Sequence, residues 1–173
     1  MSDKLTIEQR HYNMSRIRGK DTKPEIIVRK FLWSNGFRYR LNHPRLPGKP
    51  DIVLRKYRTC IFINGCFWHG HGVTFSGEIR NSVCCKIPKS NQDFWMRKIA
   101  RNQERDVEVM RKLASMGWHS LSIWECELKP AHRQATLDSL LYTLNGIFLQ
   151  DHRVKRYEIG EDEYSMIAAE DVE

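Results

Sequence analysis

Two short segments of the sequence carry residues that could do hydrolytic chemistry. PGKPDIVL places Asp51 at the start of an apolar segment, where a strand would hold its carboxylate at the edge of a cleft. Mg²⁺ in proteins is often bound by one or two such carboxylates together with phosphate and water. FINGCFWHGH contains His69, whose imidazole could act as a general base or acid near neutral pH. An Asp in a turn and a His in a loop are common, so neither residue alone identifies a site.

The cysteines and His71 could form a second site, for a metal that prefers sulfur and nitrogen. An odd count of five cysteines in a chain that we expect to be cytosolic argues against a disulfide framework. Three cysteines and one histidine suit tetrahedral Zn²⁺. The candidate ligands are Cys66, His71, Cys126 and one of the adjacent pair Cys84 and Cys85. Free cysteines are often simply buried, as we expect for Cys60 in an apolar strand.

Further side chains near these segments could contact nucleic acid. Phe67 and Trp68 are adjacent aromatics in a polar loop, where they could either wedge between bases or cap the core. The segment KIARNQERD repeats polar residues every four positions, which places them on one helix face. That face carries Lys98, Asn102 and Asp106, with Arg101 and Arg105 in an adjacent stripe. Such a face is usually only solvated, so its function depends on a cleft beside it.

The elements that must hold these residues follow from capping residues, alternation and helical periodicity. Residues 22–36 predict a helix that Thr22 caps, with Glu25 completing a capping box. The other predicted elements are strands 37–42, 51–57 and 59–64, a loop over 64–89, a long helix over 90–117, a strand over 118–125 and a helix over 136–149. The order helix, helix, three strands, long helix, strand, helix implies an α/β fold with a mixed β-sheet, because a strand–helix–strand crossover joins parallel strands.

Charge and composition favour a polyanionic partner. The chain of 173 residues carries 29 basic and 21 acidic residues, a net charge of +8. Residues 151–173 hold three basic and eight acidic residues, which leaves 26 basic and 13 acidic residues, or +13, in residues 1–150. A body this basic suits nucleic acid, and we expect the acidic tail to be weakly ordered. No apolar run suits a membrane span or a signal peptide, so we expect a cytoplasmic protein.

Six segments together resemble the very short patch repair (Vsr) mismatch endonucleases. They are NMSRIRGKDTKPE, LPGKPDIVL, IFINGCFWH, IPKSNQDFW, KIARNQERD and GWHSLSIWEC, in the family's order and spacing over roughly residues 9–130. GCFWH together with WEC at this separation is highly specific. The resemblance implies a restriction endonuclease-like core of the PD-(D/E)xK type within one domain, residues 1–150, in which residues 1–20 contact DNA.

The resemblance also implies catalytic roles. Asp51 would be the central Mg²⁺ ligand, with the backbone carbonyl of Ile63 as a second ligand. Ile63 stands where a Thr can occur, which matters little to a backbone ligand. His69 would activate the attacking water, and Glu25 and Asp106 would order the surrounding waters and the imidazole.

Other residues of the family pattern would contact DNA or hold zinc. Asn102 would lie near the scissile phosphate, and Asn64 stands where a His often contacts a phosphate. Met14, Phe67 and Trp68 would be inserted into the duplex at the mismatch. Structural zinc would be held by Cys66, His71, Cys126 and either Cys84 or Cys85. The longer loop between Gly72 and Val83 leaves that last choice open.

The activity that the resemblance implies is nicking of one strand, 5′ of the T in a T·G mismatch left by deamination of 5-methylcytosine. The implied partner is double-stranded DNA carrying that mismatch, with mismatch-repair proteins and a repair polymerase acting around it. We expect a monomer in the bacterial cytoplasm, acting at the nucleoid. Two alternatives stay open: a restriction-like endonuclease without mismatch preference, and a zinc-stabilised DNA-binding protein that no longer cleaves.

Overall fold

The computed structural model describes residues 6–16, 19–73, 84–89 and 91–153. Its elements are α1 (Ile7–Ser15), α2 (Lys23–Ser34), β1 (Arg40–Leu41), β2 (Ile52–Leu54), β3 (Thr59–Asn64), α3 (Gln92–Ser115), β4 (His119–Trp124) and α4 (Arg133–Asp151). The predicted order of helices and strands is confirmed. The prediction of a weakly ordered acidic tail concerns residues that, from 154 onward, lie outside the described part of the chain.

The four strands form one mixed sheet in the order β1-β2-β3-β4. β2 pairs antiparallel with both β1 and β3, whereas β3 and β4 run parallel, with Ile61 beside Leu121. Parallel neighbours need a crossover, and α3 provides it between β3 and β4. The mixed α/β architecture predicted from the element order is therefore confirmed.

The alternating side chains of the strands build a core on each face of the sheet. In β3, Ile61 packs with α2 and α4 around Leu32 and Leu144. Cys60 points the other way and packs with Leu113 of α3. The sheet is thus covered by α2 and α4 on one face and by α3 on the other, and α3 reaches the carboxyl end of β3.

The segment between β2 and β3 departs from the prediction. Residues 51–57 do not form one long strand: the strand stops at Leu54, and Arg55–Tyr57 form a 3-10 turn. This turn places the Tyr57 ring 5.1 Å from that of Phe37 and 5.4 Å from that of Phe148. Packing of the half-buried tyrosine ring against the core thus accompanies the end of the strand. β1 is also shorter than predicted, because only Arg40–Leu41 pair with β2.

The long helix α3 spans 24 residues, and residues with left-handed backbone stand at both ends. Asn91, before its first turn, has φ 54°, and Gly117, two residues past its end, has φ +71°. The predicted stop at Gly117 is confirmed, since glycine adopts this conformation without steric penalty. No helix in the described ranges has the length and apolar character that crossing a membrane requires.

Candidate active site and metal cluster

A cleft of about 810 Å³ lies where α2, the start of β2, the end of β3 and α3 meet. It brings together most of the residues predicted to act in catalysis. Among those lining it are Glu25, Asp51, Ile63, Asn64, Trp68, His69 and Asp106. Asn102, Phe67 and Met14 do not line this cleft, and Met14 is 46% exposed on α1.

Asp51 lies just before β2 and is held from the neighbouring strand. One carboxylate oxygen accepts a hydrogen bond of 2.7 Å from the backbone N–H of Ile63. Burial raises the pKa of the Asp51 carboxyl, and the nearby Glu25 carboxylate raises it further. The Ile63 N–H, Arg29 and His69 act in the opposite direction. A cation bound here would relieve the unfavourable charge, and a carboxylate beside a backbone carbonyl provides the oxygen ligands that Mg²⁺ prefers.

His69 and Asp106 form the closest polar pair in the cleft. The Nδ1 atom of His69 lies 2.5 Å from Oδ2 of Asp106, and both side chains are about one-quarter exposed. A carboxylate at Nδ1 fixes the orientation of the imidazole and leaves Nε2 as the nitrogen that can accept a proton. Asp106 comes from the rigid middle of α3, so the position of His69 is set by the helix.

Two more α3 side chains hold the loop that carries His69. The Asn102 amide donates to the backbone carbonyl of Trp68 at 2.7 Å. The Gln103 amide donates to the carbonyls of Gly70 and Val73 at 3.2 and 2.8 Å. Asn102 therefore anchors the loop rather than lining the cleft, and whether it also approaches a phosphate stays a prediction.

Glu25 lies at the first turn of α2, and the predicted capping box there is wrong. Thr22 is the N-cap, but its hydroxyl donates to the Glu25 carboxylate and accepts no hydrogen bond from the helix backbone. Glu25 is 4% exposed and also accepts from Asp21 N–H and from the Arg29 guanidinium. A buried carboxylate takes the charged partner one turn away, because an ion pair compensates its desolvation better than a neutral N–H does.

The predicted zinc ligands converge in a compact cluster beside the cleft. The ligand atoms of Cys66, His71, Cys84 and Cys126 all lie within 4.8 Å of one another. The Nδ1 atom of His71 is 3.2, 3.3 and 3.8 Å from the sulfurs of Cys84, Cys126 and Cys66. Tetrahedral zinc bound by sulfur and nitrogen places its ligand atoms roughly 3.5–3.8 Å apart. The donor types and spacing therefore fit Zn²⁺.

The structure places Cys84, and not Cys85, in this cluster. Cys85 is 2% exposed and packs with Val73 and Ile99 in a small apolar core. Burial is the largest cause of the raised pKa values of the Cys66 and Cys126 thiols, and Cys84 beside them raises both further. A metal cation would reverse that effect and favour the thiolates.

The aromatic residues of the loop pack into a cluster with the start of α3. The Phe67 ring lies 5.1 Å from Trp68 and 5.0 Å from Trp95, and Trp68 lies 6.2 Å from Trp95. Phe67 also packs against the small core around Cys85. Phe67 thus contacts a core and Trp68 lines the cleft, and insertion of either ring between bases stays a prediction.

The family is decided by comparison with known proteins. The sequence model of the family described as DNA mismatch endonuclease Vsr matches residues 2–74. The type II nicking enzyme V.NmeAIP of Neisseria meningitidis is 50% identical over 131 residues, which cover 75% of this chain and 86% of that protein. This chain belongs to the Vsr family. The DNA mismatch endonuclease Vsr of Escherichia coli is 37% identical over 127 residues, covering 73% of this chain and 74% of that protein.

Several residues at the site of this Vsr-family chain are not singled out by its sequence. Among them are Arg29, Lys49, Trp95, Gln103 and Glu125. Arg29 could have been found, because it stands four residues after Glu25, the spacing of a helical ion pair. Lys49 has φ 49°, a left-handed backbone conformation. A lysine in the sequence does not predict this conformation, so its place at the cleft could not be foreseen.

The loop that carries His69 depends on Gly70, which gives a stability prediction for this Vsr-family chain. Gly70 has φ +64°, and a Cβ there would lie 2.4 Å from a methyl group of Ile99. We expect Gly70→Ala to lower the free energy of unfolding by about 1–3 kcal/mol through overpacking and backbone strain. The matched control is Gly146→Ala in α4, where a Cβ meets nothing within 4 Å. It should raise stability by roughly 0.5–1 kcal/mol. Urea unfolding of both variants checks this, and equal effects would contradict it.

Proposed function

We propose that this chain is a Mg²⁺-dependent endonuclease that nicks DNA 5′ of the T in a T·G mismatch. One observation carries the proposal: a carboxylate-bound histidine, His69 with Asp106, lies in one cleft with Asp51. Membership of a family described by DNA mismatch endonuclease activity supports the choice of substrate. The mixed sheet with Asp51 at the start of a central strand is consistent with a restriction endonuclease-like core.

The residues around Asp51 fit a catalytic Mg²⁺. The Asp51 carboxylate would hold it, and the Ile63 carbonyl would be a second ligand. Mg²⁺ bound there would neutralise negative charge that develops on the phosphate during cleavage. Glu25 would order nearby waters, because its carboxylate is already fixed by Thr22 and Arg29.

His69 then acts as the general base for the attacking water. It takes a proton from the water on Nε2 as the water oxygen bonds to phosphorus and the P–O bond to the leaving oxygen breaks. Asp106 stabilises the imidazolium that forms, because its carboxylate already accepts from Nδ1. General-base assistance of this kind typically accelerates a reaction by about 10²–10⁴-fold.

The aromatic cluster next to the cleft would find the mismatch. Trp68 is adjacent in sequence to His69, so a ring inserted into the duplex fixes where the scissile phosphate lies. Phe67 would be inserted with it, and Met14 of α1 is the third candidate. Unstacking a base step costs a few kcal/mol and is least expensive at a mismatched step, which is how wedge residues could select T·G over T·A.

A structural Zn²⁺ would join this machinery to the sheet. Cys66 and His71 flank His69 in the loop, and Cys126 follows β4. Zinc held by these residues together with Cys84 would tie the loop to the end of β4. The metal would therefore keep His69 and the wedge residues in place without contacting the substrate.

The role of Asp106 gives a kinetic prediction. Asp106→Asn keeps the shape of the side chain but removes the charge that stabilises imidazolium, so we expect nicking to slow by up to the roughly 10²–10⁴-fold that general-base assistance contributes. Glu108→Gln is the control, because Glu108 is exposed and pairs only with Lys112 among the described residues. An unchanged rate in Asp106→Asn would remove Asp106 from the mechanism.

Nicking assays on paired duplexes test the proposed function. Duplexes that differ only in a central T·G or T·A pair are incubated with the zinc-loaded protein, with and without Mg²⁺. We expect a nick only in the T·G duplex with Mg²⁺. Equal cutting of both duplexes would favour a restriction-like nuclease. Retarded migration on native gels without any cutting, over a library of flanking sequences, would favour a binding protein that does not cleave.

A further inference from the structure

Two exposed arginines, Arg101 and Arg105, lie one helical turn apart on α3, and the second of them reaches the cleft. Residues four apart on a helix lie on the same side, about 6 Å apart along its axis. Arg105 lines the cleft, and its side chain is 62% exposed. Arg101 is exposed and lies one turn closer to Trp95 and the aromatic cluster. The pair therefore forms a basic edge that leads from the aromatic cluster to the cleft.

Neither arginine is neutralised by a close ion pair with a described residue. Arg105 comes within 3.8 Å of one oxygen of Asp106, whose other oxygen is bound to His69. Arg101 forms no ion pair with any residue in the described ranges. Lys112 on the same helix, in contrast, lies 2.6 Å from Glu108. Both guanidinium groups can therefore bind an anion from outside.

The cleft is lined by several carboxylates, so nearby cations would help it to bind a phosphodiester. Three carboxylates besides Glu25 line it, those of Asp51, Asp106 and Glu125. A phosphodiester that enters the cleft meets this negative charge. Among the described residues that line the cleft, Lys49 and Arg105 carry the opposing positive charge. Arg105 at the rim, with Arg101 one helical turn beyond it, would attract the DNA backbone to a site whose centre repels it.

We propose that Arg101 and Arg105 bind neighbouring phosphates of the strand that is nicked, with Arg105 nearer the scissile phosphate. The inference rests on the proposed function, because it assumes that DNA enters this cleft. Guanidinium groups bind phosphate oxygens through two parallel hydrogen bonds, which fixes the strand in register as well as attracting it. Contacts of this kind position the duplex and read no base sequence.

The dependence of DNA affinity on salt tests this proposal. The assay uses the zinc-loaded full chain carrying Asp51→Asn, so that bound duplex stays intact. Each of Arg101→Gln and Arg105→Gln should reduce the slope of log affinity against log salt by about 1, and the double variant by about 2. The loss should be alike for T·G and T·A duplexes. Arg111→Gln, an exposed arginine six residues past Arg105 and therefore on a different side of α3, is the matched control and should keep the slope.

Neutral phosphates then locate the two contacts. A methylphosphonate is placed at each phosphate around the nick, and its effect on affinity is measured with and without each arginine variant. We expect the effect to vanish in Arg105→Gln at one phosphate and in Arg101→Gln at its neighbour. The proposal would be overturned if each methylphosphonate weakened binding equally with and without the arginine variants. It would also be overturned if the salt slopes of Arg101→Gln and Arg105→Gln equalled that of Arg111→Gln. If the unmodified chain still nicks DNA in that case, the proposed function stands; if it neither binds nor nicks, both fail.

Discussion

Asp51→Asn is expected to lower the rate of nicking by about 10³-fold or more. Removing the charged metal ligand forfeits several kcal/mol of stabilisation at the phosphate, and each 1.36 kcal/mol is a factor of ten. The variant keeps an amide oxygen that can accept the 2.7 Å hydrogen bond from Ile63 N–H, so the loop and the strand should not move. DNA binding should stay within a few-fold of the original value.

The same substitution is expected to stabilise the protein when Mg²⁺ is absent. The pKa of Asp51 is raised in the folded state, mainly by burial, so folding favours its protonated form. The contribution of this group to stability is therefore present at low pH and is lost as the pH rises through its folded-state pKa. Asparagine is neutral at every pH, so at pH 7 we expect a melting temperature roughly 2–4 °C higher, the shift that about 1 kcal/mol produces at this size.

Nicking rates on labelled T·G duplexes measure the first effect. Thermal unfolding in the absence of Mg²⁺ measures the second. Asp138→Asn, the same chemical change at an exposed position of α4, should alter neither. Loss of nicking together with a lower melting temperature would indicate a damaged fold rather than a missing ligand. Nicking at the original rate would exclude Asp51 from the reaction.

Cys84→Ala is expected to lose the bound zinc, whereas Cys85→Ala keeps it. Cys84 lies 3.2 Å from His71 in the four-residue cluster, and three remaining ligands leave a structural zinc site open. Since metal binding contributes directly to folding, the free energy of unfolding should fall by about 3 kcal/mol or more. Nicking should fall with it, because His69 lies between Cys66 and His71 in the same loop.

The adjacent Cys85 is a closely matched control. Truncating it removes one buried sulfur from the small core around Val73 and Ile99, for which we expect a loss of about 1 kcal/mol. Metal analysis should find one zinc per chain in Cys85→Ala and little or none in Cys84→Ala. The opposite pattern would assign the fourth ligand to Cys85, and zinc in both variants would exclude this cluster as the site.

The sequence predicts the main elements well, because their signals are local. The short apolar run of β3, the helical repeat of α3 and the stop at Gly117 each follow from a few neighbouring residues. The order of elements then implies the parallel pairing of β3 and β4, since a helix joins them. The predictions that fail depend on distant partners. The 3-10 turn at Arg55–Tyr57 is one example, because it follows from the contact of Tyr57 with Phe37 and Phe148.

The site is predictable in its residue types and less so in its contacts. Asp51, His69 and Asp106 are predicted as site residues through the family resemblance, and their meeting in one cleft depends on how α3 packs on the sheet. The choice between Cys84 and Cys85 is a question of side-chain direction, which spacing does not give. The capping box fails because Arg29, one turn along the helix, competes for Glu25. Trp95 is missed because periodicity alone does not say which helix face meets Phe67.

The central claim is that this cleft cuts one strand at a mismatch, and mapping the cut tests it most directly. A T·G duplex is labelled on the T strand or, in a parallel sample, on the G strand, and the products are resolved to single nucleotides after incubation with zinc-loaded protein and Mg²⁺. The account predicts one break, on the T strand immediately 5′ of the mismatched T, which is absent from the T·A duplex and from Asp51→Asn. Breaks in both strands, or a T·A duplex cut at the same rate, would contradict it.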